Sequence, residues 1–411
     1  MKPILLSLCL VCLAVPAFAQ NRPPRPGPDI KRHNIEQACS DKAQLHTIAF
    51  DGVAFLTGDF AADTFLPPGK VSDYFGFQYM RDNDLGQLGH NTSFLTRIAS
   101  NTLAILTPDQ KAQLLTLAKA QEADVKKFAE MRFPMIKAFR RNLAGDLPAS
   151  SKGLNRDAVI KYSAELYALD GKIALDRART MGAVIASLTP EQKAKFAKLK
   201  FNDSRTWPDI PEQLDKRTMS HANNVAMMTY ASEMFAWYAG NIEADTYFCP
   251  ERHGMYFGGF GLKTAPAMGK KDYAISTDLT GDTGAAFLAL LTPAQRKLMT
   301  DLPNQQRKAM TEIVTTRRTI SEELRKFQSG KTVDEQKIAD LSKRYGELDG
   351  ELSYLYASTF ASIARTLSPE QKTELAKLRH DDPKNPKGPF LYSQVIAMPT
   401  VANTDTFFES K

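Results

Sequence analysis

A short pattern, Leu-Thr/Ser-Pro-x-Gln, occurs four times in this chain, and each of its residues suits the start of an α-helix. Thr189 can serve as the N-cap, because its hydroxyl can accept from the backbone N–H of the third helical residue. Pro190 then takes the first helical position, where its missing N–H costs nothing. Gln192 can reach back to the N–H of Thr189 and complete a capping box. The four predicted helix starts are Leu106, Thr107, Pro108 and Gln110; Leu188, Thr189, Pro190 and Gln192; Leu291, Thr292, Pro293 and Gln295; and Leu367, Ser368, Pro369 and Gln371.

The residues that flank this pattern have two different expected roles. The leucine before each cap is expected to point into a packed core. A basic residue follows each glutamine, although a cation in the first turn opposes the helix dipole. These cations either form a basic rim on a shared surface or pair with acids three or four residues away. The four basic positions are Lys111, Lys193, Arg296 and Lys372.

The chain contains a long internal repeat. The frame G-x3-A-D-T-[FY]-x2-P-x5-Y-F-G occurs at 58–76 and again at 240–258, without a gap. Leu-Asp-Gly recurs at 169–171 and 348–350, and each half carries two copies of the helix-start pattern. We therefore expect a tandem duplication. The expected boundaries are a first helical half at 39–200, a connector at 201–220, a second helical half at 221–380 and an extended tail at 381–411.

Apolar residues follow a helical spacing in both halves, which predicts an all-α fold of long amphipathic helices. They step by three and four along 159–173 and along 338–355. Further long helices are expected from 109 to about 141 and from 294 to about 327. Gly171 and Gly350 lie at equivalent positions within such helices, where glycine lowers helix stability. Their presence predicts a close helix–helix approach or a bend.

The first residues have the features of a signal peptide. Lys2 precedes an apolar run at 4–15, and Ala17-Phe18-Ala19 suits a cleavage site, so residues 1–19 are expected to be removed on export. The Pro-rich, basic stretch 20–38 is expected to be disordered. Two cysteines then remain, Cys39 and Cys249, and a disulfide between them is one of two open alternatives, the other being buried thiols. No later apolar run is long enough to cross a membrane.

The repeated aromatic frame is the feature with the least certain role. An Asp-Thr pair and a Tyr-Phe pair could form a ligand pocket. Alternatively, Asp and Thr cap helices while the aromatic residues plug an open end of a helical bundle. The residues concerned are Asp63, Thr64, Tyr74 and Phe75 in the first copy, and Asp245, Thr246, Tyr256 and Phe257 in the second.

Signals for metal binding or catalysis are sparse. Cys249 and His253 are four residues apart, and Asp82, Asp84 and His90 form the densest polar cluster, so these are the candidates for a divalent metal. A structural zinc site normally needs four ligands. No catalytic motif occurs, so we expect a protein that is not an enzyme and needs no cofactor. The net charge of +7 includes no dense basic block with aromatic residues, which argues against nucleic-acid binding.

Leu-Thr-x-x-Gln, repeated on a basic, helical and exported chain, resembles the Spy/CpxP (LTXXQ) family of periplasmic proteins. In that family two motifs occur in one small all-helical protomer, and two protomers form a cradle-like dimer. The resemblance implies a periplasmic chain that holds unfolded or aggregation-prone envelope proteins on a basic and apolar surface without ATP, as a monomeric pseudo-dimer or as a homodimer. Because the family also includes stress regulators and metal-responsive members, a metal-binding protein is one alternative. A small-ligand binder built on the aromatic frame is another.

Overall fold

The computed structural model is built from long helices joined by short connections. Its described residues are 31–34, 45, 48–49, 52–53, 55–57, 93–149, 151–199, 206–211, 213–239, 272–275, 283–378, 390–391, 394–395, 400–401 and 403–409. The first half contains α1 (Ser93–Ile105), α2 (Pro108–Ala144), α3 (Arg156–Ala186) and α4 (Pro190–Ala197). The second half contains α5 (His221–Ala239), α6 (Thr283–Leu290), α7 (Pro293–Thr300), α8 (Leu302–Arg325), α9 (Glu335–Thr366) and α10 (Pro369–Lys377). The predicted all-α architecture in two homologous halves is confirmed.

Short strands accompany the helices. β1 (Lys31–Asn34) pairs antiparallel with β2 (Asp272–Ile275), so part of the stretch expected to be disordered forms a strand. β3 (Phe390–Leu391) and β4 (Gln394–Val395) form a second antiparallel pair within the expected extended tail. Neither pairing could be read from composition, because a local pattern does not identify the partner strand. Among the described helices, none is long and apolar enough to cross a membrane.

The long helix expected at 294–327 is in fact two helices. α7, which Thr292 caps, ends at Thr300, and α8 begins at Leu302 with Pro303 in its first turn. Proline removes a backbone donor and clashes with the preceding turn, so a helix restarts there more easily than it continues. The equivalent residue of the first half is Ala118, and α2 runs unbroken for 37 residues. The two halves therefore differ at this point because of one residue.

A crossing of α3 with α9 joins the two halves, and glycines make the close approach possible. A Cβ added to Gly346 would lie 2.6 Å from the Ser163 carbonyl oxygen and 2.8 Å from the Ala164 Cα. A Cβ on Gly171 would clash with Ser342, and one on Gly350 would clash with Ser163. These two contacts are equivalent in the repeat, so the antiparallel helices cross about a local pseudo-twofold axis. The prediction of close packing at both repeated glycines is confirmed.

The first helix of each half packs on the other half. In α5, Phe235 lies 5.8 Å from the ring of Phe196, which belongs to α4 of the first half. Conversely, helical residues 45, 48–49, 52–53 and 55–57, here called the N-terminal segment, pack on the second half. A Cβ on Gly52 would meet the ring of Phe287, and the ring of Phe55 lies 5.9 Å from that of Phe360. The first helix of each half thus packs on helices of the other half, so the two halves exchange their first helices.

A buried ion pair fastens α5 to the first half. Arg177 of α3 and Glu233 of α5 are 0% and 1% exposed, and Arg177 Nη1 lies 2.9 Å from a Glu233 carboxylate oxygen. The guanidinium also lies 4.9 Å from the centre of the Tyr230 ring. Tyr230 in turn donates to Gln121 of α2 at 2.8 Å. Because an unpaired buried charge is costly, these partners favour one position of α5 over others.

Equivalent arginines hold the two exchanged helices. Arg140 of α2 donates to the Phe55 carbonyl oxygen at 2.5 Å, and its guanidinium lies 4.7 Å from the centre of the Phe55 ring. Arg325 of α8 donates to the Trp237 carbonyl oxygen at 3.0 Å and lies 5.9 Å from the Trp237 ring. Each guanidinium therefore combines a backbone hydrogen bond with a contact to an aromatic face. Each first helix therefore keeps an equivalent contact with its own half while it packs on the other half.

Candidate functional site

The two copies of the repeated pattern in the first half form the predicted capping box. Gln110 N–H donates to Thr107 Oγ1 at 3.2 Å, and Thr107 N–H donates to Gln110 Oε1 at 2.9 Å. Thr189 and Gln192 exchange the same two bonds at the start of α4. The leucines that precede all four caps are buried as expected, with exposures of 3–8%.

The two copies in the second half form the same box. Gln295 N–H donates to Thr292 Oγ1 at 3.3 Å, and Thr292 N–H donates to Gln295 Oε1 at 2.9 Å. Gln371 N–H donates to Ser368 Oγ at 3.1 Å, and Ser368 N–H donates to Gln371 Oε1 at 2.9 Å. Thr292 is an exposed residue and Ser368 a half-buried one, yet each hydroxyl is used by its own helix start. The pattern is thus a structural helix start at each copy.

The glutamines also make contacts that the capping box does not require. Gln192 donates through Nε2 to the Ile105 carbonyl oxygen at 2.9 Å and to Gln110 Oε1 at 2.7 Å. Gln110 donates to Ser187 Oγ at 3.0 Å. Each amide therefore uses its oxygen for its own cap and its NH₂ group for the structure around the other motif. We call the paired motifs at 106–110 and 188–192 the first joint.

The second joint, formed by the motifs at 291–295 and 367–371, repeats this arrangement. Gln371 donates to the Leu290 carbonyl oxygen at 2.7 Å and to Gln295 Oε1 at 2.9 Å. Gln295 donates to the Thr366 carbonyl oxygen at 3.0 Å. A capping box accepts either Glu or Gln, but only an amide can accept and donate at once. Gln at all four copies is therefore a sequence signal that the motifs pair. A pattern considered one motif at a time does not reveal it.

The two joints lie at opposite ends of the α3–α9 pair. The C-terminal end of α3 enters the first joint, and that of α9 enters the second, so antiparallel packing points the joints apart. The 31 residues of α3 are about 45 Å long at about 1.5 Å per residue, and α9 extends past the start of α3, so the joints are at least that far apart. Arg365 of α9 donates to the Asn142 carbonyl oxygen at 3.1 Å. That contact places the second joint beside the turn that connects α2 to α3.

The four basic positions fall into two pairs, one at each joint. Among the described residues, Lys111, Lys193 and Lys372 form no ion pair, so the expected pairing with acids three or four residues away is not observed there. Arg296 instead donates to the Leu288 carbonyl oxygen at 2.8 Å and to the Leu291 carbonyl oxygen at 3.3 Å, at the C-terminal end of α6. Three exposed or half-exposed lysines without an ion pair in the described part of the chain thus lie at the two ends of the α3–α9 pair.

Large apolar side chains are almost absent from the described surface. Within the described residues, Leu298 is the one large hydrophobic side chain classed as exposed, at 42%. The broad apolar face expected beside the basic positions is therefore not found in this part of the chain. A surface depression on α8 is lined by polar residues, with Arg307, Lys308 and Glu312 among them.

The connection between α8 and α9, here called the second turn (residues 326–334), is closed by a glutamate. Glu323 is 6% exposed and accepts from Lys326 at 2.6 Å and from Lys337 at 3.1 Å. It also accepts from the backbone N–H of Asp334 at 3.4 Å. These donors, Lys326 first, hold the pKa of Glu323 at about 2, well below its ordinary range.

The connection between α2 and α3, here called the first turn (residues 145–155), is closed by a segment near the end of the chain. Arg141 Nη1 donates to Asp405 Oδ1 at 2.7 Å, and this bond lowers the pKa of the Asp405 carboxyl. Phe407 and Phe408 are 5% and 4% exposed. Burial raises the pKa of the neighbouring Tyr162 to about 12. The tail expected to be extended therefore contains a packed segment.

Several predicted site residues lie outside the described residues. They are the cysteines Cys39 and Cys249, the metal candidates His253, Asp82, Asp84 and His90, and both copies of the aromatic frame (Asp63, Thr64, Tyr74, Phe75, Asp245, Thr246, Tyr256 and Phe257). The signal peptide lies outside them as well. Within the described part of the chain, no group of three or more His, Cys, Asp or Glu residues could hold a metal ion. The disulfide, metal and small-ligand hypotheses remain predictions.

Comparison with known protein families supports the resemblance in both halves of the chain. The model of the LTXXQ motif family matches residues 104–200 and again residues 289–379. Two separate regions of this chain, together a little under half of its length, are therefore similar to the LTXXQ motif family. Each matched region contains the two motifs of one joint and the helices between them, so the exchanged helices lie outside the matched unit. A search of curated proteins and a search of solved structures found no match.

Proposed function

We propose that this protein is a periplasmic, ATP-independent binding protein that holds unfolded or aggregation-prone envelope proteins. The observation that carries the proposal is the arrangement of two family units in one chain, with lysines at each joint that form no ion pair within the described residues. The resemblance to Spy/CpxP proteins supplies the class of client. The second unit supplies within one molecule what a second protomer supplies in the smaller relatives.

The spacing of the joints suits a long and flexible client. A basic patch attracts acidic segments over about 10 Å at ordinary ionic strength and so speeds their encounter. At about 3.4 Å per residue, at least about 13 extended residues are needed to span the roughly 45 Å or more between joints. A client that reaches both ends binds twice, which strengthens retention without any new contact. A compact native protein with few extended segments gains much less.

An aggregation assay on the purified protein tests the proposal. We expect equimolar protein to slow the aggregation of a chemically unfolded acidic client without ATP, and the effect to weaken as salt is raised. Suppression that is lacking across several unrelated clients would contradict the proposal. If salt does not change the suppression of aggregation, the protein still binds its clients, but the basic patches are not the cause.

A triple charge reversal separates the basic positions from net charge. The variant Lys111→Glu, Lys193→Glu and Lys372→Glu should lose most of the suppression. Arg296 is left intact because it caps α6. The matched control reverses Lys127, Lys161 and Lys343, which are exposed and lie well away along their helices from the motifs of the joints. Equal losses in both variants would show that only total charge matters.

The compartment can be tested independently of client binding. We expect the protein in the periplasmic fraction, with a mature N-terminus at Gln20 after removal of residues 1–19. Edman sequencing or mass spectrometry of the exported form measures this directly. An uncleaved chain that remains in the cytoplasm would remove envelope proteins as the clients.

A further inference from the structure

The last described residues of the chain lie on the first turn in the manner of a bound peptide. The Phe407 carbonyl oxygen accepts from the backbone N–H of Asn155 at 2.8 Å, and Glu409 N–H donates to the Gly153 carbonyl oxygen at 3.0 Å. Leu154 and Phe408 face each other in an antiparallel bridge. An added strand of this kind is a recurrent mode of peptide recognition, in which main-chain bonds give affinity and side-chain pockets give specificity.

The side chains of the segment occupy separate positions on the α2–α3 hairpin. The Phe407 ring lies 5.0 Å from that of Tyr162 in an edge-to-face arrangement. The Arg141 guanidinium lies 5.0 Å from the centre of the Phe408 ring. Arg141 also binds Asp405 and donates to Thr404 Oγ1 at 2.9 Å. The arrangement therefore recognises an acidic residue followed, two and three positions later, by aromatic residues.

The segment is separated from the last α-helix by a connection, residues 378–403, that includes the β3–β4 pair. The second joint, where α10 begins, lies beside the first turn. The segment belongs to none of the α-helices, so its release would break its contacts with the first turn and the nearby bond from Lys137 Nζ to the Val401 carbonyl oxygen (3.1 Å), without unwinding an α-helix.

We infer that Arg141, the backbone at 153–155 and Tyr162 form a peptide-binding site for extended segments of the pattern acid-x-aromatic-aromatic. The chain's own residues 404–409 are its resident ligand. Displacement uncovers the Tyr162 ring and the Leu154 backbone, and so provides apolar contact that the described surface otherwise lacks. The biological role of that exchange rests on the proposed function, because client segments would be the competing ligands.

A labelled peptide with the sequence of residues 400–411 tests the site. The peptide is titrated into the full chain and into the full-chain variant Phe407→Ala with Phe408→Ala, and binding is followed by fluorescence anisotropy. A tethered ligand competes at an effective concentration of the order of mM. We therefore expect the variant to bind the peptide at least about tenfold more tightly than the wild-type chain does. Equal affinity for the two chains, or no binding to the folded variant, overturns the inference.

A charge exchange identifies the recognised residue. The peptide carrying Asp405→Lys should not bind the double-alanine variant. It should bind the full chain carrying Arg141→Glu, while the unchanged peptide should not. Unchanged binding of both peptides to both chains would mean that Arg141 does not read the acidic position, and would overturn the proposed pattern.

Hydrogen exchange on the wild-type chain covers the case in which the variants fail to fold. Saturating peptide should accelerate exchange at the Glu409 amide, which is bonded to Gly153, and leave amides within α3 unchanged. No acceleration at saturating peptide overturns the inference. The aggregation assay is a separate measurement, so peptide binding can fail while client holding survives, and the reverse outcome is equally visible.

Discussion

The first and second turns begin alike and are closed differently. Both start with a glycine in the left-handed region, Gly145 at φ 78° and Gly330 at φ 65°, at equivalent positions of the repeat. In the second turn Glu323 of α8 accepts hydrogen bonds from Lys326 and Lys337 and from the backbone N–H of Asp334. The first half has Ala138 at that position, which cannot accept a side-chain hydrogen bond, and Arg141 is paired instead with Asp146 in the turn and with Asp405 near the end of the chain.

This difference separates a permanent closure from a removable one. Glu323 is part of α8 and cannot leave the second turn without unwinding that helix. Asp405 belongs to a tethered segment, so the first turn can open while the helices stay intact. The two turns occupy equivalent positions of the repeat, and within the described residues the first of them is the one covered by a distant segment of the chain.

The variant with the largest expected effect tests the crossing of α3 with α9, the two helices that follow the first and second turns. Gly346→Ala would place a methyl group against the backbone of α3, and neither helix can move away without disturbing the other contacts. We expect a loss of about 3 kcal/mol in the free energy of unfolding. Urea denaturation measures it. Gly153→Ala is the matched control, since its added methyl group would meet only Asn142 Oδ1, at 3.9 Å.

A second test compares the two joints. They make equivalent hydrogen bonds, whereas the two turns are closed differently. Gln192→Glu keeps the capping box. It replaces the donating NH₂ group with a carboxylate oxygen, which cannot donate to the Ile105 carbonyl oxygen or to Gln110 Oε1. We expect a loss of about 2 to 3 kcal/mol, because a buried acceptor loses its donor. Gln371→Glu should cost a similar amount in the second joint. A large cost in one joint alone would contradict their equivalence.

A third test addresses the permanent closure. Glu323→Gln removes the charge that Lys326 and Lys337 share, and we expect a loss of about 2 kcal/mol at neutral pH. Because the folded-state pKa is lowered, the stabilisation is present above the unfolded value and is lost as pH falls from 4.5 to about 2. The difference between variant and wild type should therefore shrink across that range. Glu374→Gln is the control, since its pair with Lys377 is exposed and contributes little.

The smallest expected effect tests what the turns have in common. Alanine costs about 1 kcal/mol in a left-handed conformation. Gly145→Ala and Gly330→Ala should therefore lower stability by similar small amounts, because an added Cβ meets nothing within 4 Å at either site. Thermal unfolding of the two variants compares them. A much larger cost at Gly145 would show that the tail segment depends on the conformation of that glycine.

Features encoded within a few residues could be predicted from the sequence. The capping boxes depend on a hydroxyl and a glutamine three residues apart, as at Thr292 and Ser368, and the crossing was visible as glycines at repeated helical positions. The Gln–Gln contacts, the exchange of first helices and the docking of Phe407 depend on partners more than 75 residues away. Nothing in a local pattern specifies such partners. The break before α8 is different, since Pro303 is a local signal for a helix start that the sequence itself contains.

The exchange of first helices also has a consequence for the order in which the protein can be assembled during synthesis. The N-terminal segment is made early, but the Phe360 ring that Phe55 contacts is made some three hundred residues later. Until then the buried face of Phe55 has no native partner in the second half. Contacts so distant in sequence slow folding. The chain therefore stays incompletely folded for most of its synthesis, which suits the proposed export in an unfolded form.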